Sequence, residues 1–112
     1  MKFKKTILLD LDGVLNQYTG NYDENFIPPV KDGAQELLIK LSKDFKIKIF
    51  TSRNKNSTKK WLKENDLHQY ISGITNTKEP AYIQIDDRCI KFDGNYNNLI
   101  DQITNFEVWY KA

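Results

Sequence analysis

Residues 6–11 read TILLDL, an almost unbroken apolar run interrupted only by acid at Asp10. A strand with one solvated face alternates apolar and polar residues, whereas a run without alternation suits a strand covered on both faces. Strands of that kind belong to parallel α/β sheets, in which crossover helices lie against the sheet. No other feature constrains the fold as much. The end of the run also poses a chemical question. Asp10 and Asp12, separated by Leu11 and followed by Gly13, bring two carboxylates to the tip of a strand that is otherwise built for a core.

The rest of the chain alternates in the same way. Ala34, Leu37, Leu38 and Leu41 recur at helical spacing over 32–42, with Asp32 available as N-cap. KIKIFT at 46–51 reads as a second strand, and 56–65 as a Lys-rich helix that turns Trp61 and Leu62 inward behind a cap at Asn56 or Ser57. Short strands are expected at 72–75 and 82–86, the latter followed by 89–92. A helix is expected at 96–103 and a closing strand at 106–110. The polar, Pro-terminated stretch 16–29 reads as a loop or small hairpin around Thr19, Gly20 and Asn21. Together these elements predict a three-layer, Rossmann-like parallel sheet with helices on both faces. The 112 residues suit a single domain over 1–112.

Charge and cysteine content narrow the partners. The formal net charge of +2 is too small to argue for a nucleic-acid surface, and the lysines are dispersed. One cysteine, Cys89, cannot form an internal disulfide, and this suits a reducing compartment. The basic start MKFKK turns apolar only as far as Asp10, too briefly for a signal sequence or a membrane span. The expectation is a cytoplasmic protein without a membrane partner, as monomer or homodimer, with Trp109 and Tyr110 as an edge strand or a dimer contact.

In a parallel sheet with right-handed crossovers, all strand C-termini share one rim, and ligands bind there near the point where strand order reverses. The predicted strand ends carry Asp10 and Asp12, Thr51 and Ser52, and Asp86 and Asp87, with Lys78 in the loop before the fourth strand. Each of these alone reads equally well as a turn, cap or surface residue. Their convergence on one rim is harder to explain that way. Carboxylates about 4 Å apart repel by roughly 4 kcal/mol at an effective dielectric near 20, so such a cluster needs protons or a cation. An oxygen-only set suits Mg²⁺, and the lone His68 reads as a surface residue. In an extended segment Asp10 and Asp12 point the same way, while adjacent Asp86 and Asp87 point apart, so one of that pair would ligate and the other orient.

These stretches resemble the motifs of the haloacid dehalogenase superfamily of phosphotransferases, from Thr6 to about Asp93. ILLDLDGVL is similar to its first motif, IKIFTSR to the second, and YIQIDD to the fourth. Lys78 falls where the third motif's lysine is expected, although Lys55, Lys59 and Lys60 are alternatives. The resemblance implies a Mg²⁺-dependent phosphomonoester hydrolase. Asp10 would be the nucleophile that becomes an aspartyl-phosphate, and Asp12 the acid and base. The ion would be held by Asp10, the backbone carbonyl of Asp12 and Asp87, supported by Asp86. Thr51 would donate to a phosphoryl oxygen and Lys78 would balance charge.

The segments 16–29 and 65–78 are too short for the cap domain of larger relatives, so a capless protein is expected. Asn16, Tyr18, Tyr22, Ser52, Arg53 and Asn54 are then candidates to meet the substrate. That substrate would be a phosphorylated small molecule (a sugar phosphate or nucleotide) in preference to a nucleic-acid 3′-phosphate. A receiver-like domain that accepts and holds phosphate is an alternative. It is disfavoured because IKIFTSR offers no middle-strand aspartate. A non-catalytic Mg²⁺-binding module of the same fold is another. No G-x-G-x-x-G follows the first strand, which argues against a dinucleotide site.

Overall fold

The computed structural model describes residues 3–111. Four strands, β1 (Lys5–Asp10), β2 (Phe45–Phe50), β3 (Gly73–Thr75) and β4 (Ile83–Ile85), form one sheet in the order β3-β2-β1-β4. All three pairings are parallel, with Ile7 opposite both Ile47 and Ile83, and Leu9 opposite both Ile49 and Ile85. The α/β class with an all-parallel sheet is therefore as expected. The chain runs outward from β1 through β2 to β3, then returns to place β4 on the other side of β1. The β1–β4 junction is the switch point.

Helices α1 (Ala34–Ser42) and α2 (Lys55–Glu64) pack on the sheet through one apolar cluster. Leu9, Ile47 and Ile49 meet Ala34 and Leu38 of α1 and Trp61 and Leu62 of α2, and Leu11, Leu15 and Leu67 close the cluster. Leu8, one residue out of phase with Leu9, is also buried, so β1 is covered on both faces, as its unbroken apolar run implied. The third helix, α3 (Tyr96–Thr104), buries no side chain and leaves Ile100 and Ile103 each 59% exposed. Helix α3 adds nothing to the apolar cluster, so the expected second helical layer is not built as α1 and α2 build the first. No described helix is long and apolar enough to cross a membrane.

Several local expectations are corrected. Helix α1 is capped by Gly33, at φ 88°, with no side-chain bond, rather than by Asp32. Helix α2 is capped by Asn54, whose Oδ1 accepts from the N–H groups of Asn56 and Ser57 at 2.8 and 3.1 Å. Asn54 Oδ1 therefore satisfies a helix end. The hairpin in 16–30 turns at Asp23–Phe26, where Asp23 Oδ1 accepts from Asn25 N–H, and not at Gly20. Residues 89–92 carry no regular structure. The expected closing strand at 106–110 is absent, and a 3₁₀ turn at Trp109–Lys111 ends the described chain. Its aromatic side chains find partners across the rim, so the segment does not extend the sheet.

Candidate functional site

Strand β1 ends at Asp10, and Asp86 follows β4 one residue beyond the pair Leu9 and Ile85. Parallel register at the switch point thus brings the two carboxylates side by side. Asp87 joins them: carboxylate oxygens of Asp10, Asp86 and Asp87 all lie within 4.8 Å of one another. The extended geometry that would have turned Asp86 and Asp87 apart does not apply, because β4 stops at Ile85. Arg88 N–H then donates to Asp86 Oδ1 at 3.0 Å and bends the chain. Gly13, at φ 85°, permits the close approach on the other side. A Cβ there would overlap the Asp87 carboxyl, so Gly is required for both its backbone angle and its lack of a side chain.

The charge balance is one-sided. Burial, followed by the charges of Asp86 and Asp87, raises the Asp10 pKa from 3.8 to about 8, and Asp12 adds a smaller push. A hydrogen bond from Leu11 N–H to Asp10 Oδ1, at 2.9 Å, opposes the shift and does not overcome it. The charges that act most strongly on Asp10 are those of Asp86, Asp87 and Asp12, all acidic. Lys78 is exposed on the loop after β3 and is not among those charges. Nearby, Glu79 is held by Lys48 at 2.7 Å. The three carboxylates fit a hard divalent cation by donor type, by proximity and by their uncompensated charge.

Asp12 stands apart from the trio. The chain leaves the strand after Asp10 and turns, with Leu15 N–H donating to Leu11 carbonyl at 3.0 Å, so the same-side alignment expected of an extended Asp-x-Asp is lost. The Asp12 carboxylate instead receives Arg53 Nε at 3.0 and 2.9 Å and Asn16 Nδ2 at 3.0 Å. Arg53, expected to face substrate from the surface, is only 2% exposed. Its Nη1 donates to Asp23 carbonyl at 2.9 Å, and the Tyr22 ring lies 4.7 Å from its guanidinium carbon. Arg53 therefore ties the hairpin to Asp12. Its Nη2 is buried without a partner. Asn16 is fully buried, and its Oδ1 accepts from Gly13 and Tyr18 N–H, each at 3.1 Å. Its amide orders the turn that carries Asp12.

Thr51 is buried just beyond β2, and its Oγ1 accepts Arg53 N–H at 3.2 Å, which leaves the hydroxyl proton to be donated elsewhere. Ser52 is exposed. Two contributors escaped the sequence reading. Asn76 donates from Nδ2 to the carbonyls of Thr51 and Arg53, at 2.7 and 2.9 Å, and so shapes the loop after β2. It follows β3 directly, so its place at a strand end was the available signal. Trp109 Nε1 donates to Asp87 Oδ2 at 2.8 Å, and nothing in the local pattern pointed to it.

Fold and site define a class: a parallel α/β protein with a trio of carboxylates at the switch point of its sheet. The chain is similar to a solved structure of the conserved protein coded by a locus from Bacteroides thetaiotaomicron, with TM-score 0.63 and 18% identity over 91% of each chain. That likeness concerns the fold. No family model matches the chain, and no curated protein matches it.

Proposed function

We propose that this protein is a phosphomonoester hydrolase that uses a divalent cation, Mg²⁺ by ligand chemistry, with Asp10 as nucleophile. The observation that carries the reading is the meeting of Asp10, Asp86 and Asp87 within 4.8 Å at the switch point, with Asp10 raised to about 8 by burial and its acidic neighbours. Asp10, Asp86 and Asp87 would hold the cation, which when bound supplies charge neutralisation for an incoming phosphoryl group.

Asp10 acts as the carboxylate, its proton released to solvent as the cation would bind; one of its oxygens attacks phosphorus as the bond from phosphorus to the ester oxygen breaks. The departing oxygen takes a proton from the Asp12 carboxyl, and a water that returns its proton to Asp12 then releases inorganic phosphate and frees Asp10. Arg53 and Asn16 hold Asp12 in place for both transfers. The Thr51 hydroxyl donates to the phosphoryl group. The balancing role that the resemblance gave to Lys78 passes to the cation and Arg53 in this arrangement. The proposed substrates are sugar phosphates and nucleotides ahead of nucleic-acid 3′-phosphates.

Purified protein with Mg²⁺ is expected to release phosphate from p-nitrophenyl phosphate, and Asp10→Asn or chelation to abolish release. Hydrolysis retained by Asp10→Asn overturns the mechanism. A screen of sugar phosphates, nucleotides and 3′-phosphorylated oligonucleotides then assigns the substrate.

A further inference from the structure

The C-terminal turn reaches the same rim as the acids, although nothing in a phosphatase mechanism requires it there. We propose that Trp109 is a positioning residue for Asp87, and that the C-terminal turn is thereby part of the cation site. This inference rests on the reading of Asp10, Asp86 and Asp87 as that site.

The Asp87 carboxyl is wedged between two walls. On one side is the Gly13 backbone, so close that no Cβ could stand there. On the other is the Trp109 indole, whose single N–H donates to Asp87 Oδ2 at 2.8 Å. A carboxylate has about four lone-pair positions, so one donated N–H leaves Oδ1 and the remainder of Oδ2 for a cation. The bond selects one orientation of the carboxyl, the service that outer donors give to metal ligands.

Trp109 is itself held by groups from the opposite side of the rim. The Lys31 ammonium lies 4.4 Å from its ring centroid, where it attracts the π face and draws electron density from the N–H. Tyr110 packs edge-on to Trp109 at 5.5 Å and edge-on to Tyr18 at 6.1 Å. A Cβ at Gly20 would stand 3.0 Å from the Tyr110 ring, so the hairpin and the C-terminal turn meet closely there as well. Contacts to Asp87, Lys31, Tyr18 and Gly20 come from widely separated parts of the chain. They explain why residues 106–110 leave the sheet edge and cross the site.

The test uses the full chain and two readouts that need no turnover: Mg²⁺ affinity by calorimetry, and tryptophan emission during the same titration. Wild type is expected to bind Mg²⁺ with a change in emission. Trp109→Phe keeps the ring and loses the N–H; its Mg²⁺ affinity is expected to fall about tenfold, the lower end for lost outer-shell donors, with its metal-free melting temperature unchanged. Its emission, then from buried Trp61 alone, should no longer respond. Trp109→His restores an N–H and should recover part of the affinity. Equal Mg²⁺ affinity in wild type and Trp109→Phe overturns the positioning role while leaving the cation site intact. So does a loss of affinity matched by a loss of metal-free stability. Absence of Mg²⁺ binding in wild type overturns the cation site and this inference together.

Discussion

From Ile7 to Thr75 the chain contains all the buried side chains among the described residues, and from Asn76 to Tyr110 it contains none. The first region holds the apolar cluster, both packed helices, Asp10 and the Arg53–Asp12 pair. The second contributes one three-residue strand, a helix with no buried residue, and the residues Asp86, Asp87 and Trp109. One region therefore supplies stability, and the other brings two of the three acids to it. A cation bound by the trio would join the two regions across the β1–β4 junction. Ligand binding of this kind stabilises the folded form by mass action.

Substitutions can break or sharpen that contrast. The largest stability loss is expected from Leu38→Ala, about 3 kcal/mol, because Leu38 is fully buried in the cluster and truncation leaves a cavity. Denaturant unfolding measures it, and a loss under about 1 kcal/mol would refute the assignment of the core. Arg53→Ala removes the partner of a partly buried carboxylate and is expected to cost about 2 kcal/mol by the same measurement. Because Arg53 also anchors the hairpin through Asp23, proteolysis within 16–30 should accelerate alongside. Gly13→Ala should cost about 1–2 kcal/mol through its positive φ, and should also abolish Mg²⁺ binding by displacing Asp87. Calorimetry separates the two effects.

The pH dependence tests the one-sided charge. Asp10 has a folded value of about 8 against an ordinary value of 3.8, so between those limits the folded state holds a proton that the unfolded state has lost. Stability of the metal-free protein is therefore expected to fall as pH rises from about 4 to about 8 and then to level off. Asp10→Asn should flatten this slope, as should saturating Mg²⁺ at the upper end. Thermal melts with and without Mg²⁺ at pH 5 and pH 8 decide it, and a slope unchanged in Asp10→Asn would reassign the titrating group. The smallest effect is expected from Ile100→Ala on exposed α3, within about 0.5 kcal/mol. A much larger loss would show that the second region carries more of the stability than its burial implies.

Much of the architecture was legible because it is written in local pattern. The unbroken run before Asp10, the alternation of Ile47 and Ile49 with lysines, and the inward spacing of Trp61 and Leu62 each report a burial environment residue by residue. The acidic strand ends followed from the parallel topology those elements imply. Caps were misjudged by one to three residues, at Asp32 for Gly33 and at Ser57 or Asn56 for Asn54, because several polar residues at each helix start could serve. The closing strand failed for another reason. A short aromatic segment suits an edge strand or a folded-back turn equally, and only the presence of Asp87, Lys31 and Tyr18 opposite it selects the turn.

By itself the sequence determined a parallel α/β sheet with carboxylates at its strand tips, since burial and periodicity are local properties of each segment. Only the tertiary structure decided that Asp87 joins Asp10 and Asp86 while Asp12 pairs with Arg53, 41 residues on, and that Trp109 crosses the rim to meet Asp87. Polar partners so far apart in the chain leave no periodic trace. Their pairing depends on which strand lies beside which, and on the bend each chain takes once its strand has ended.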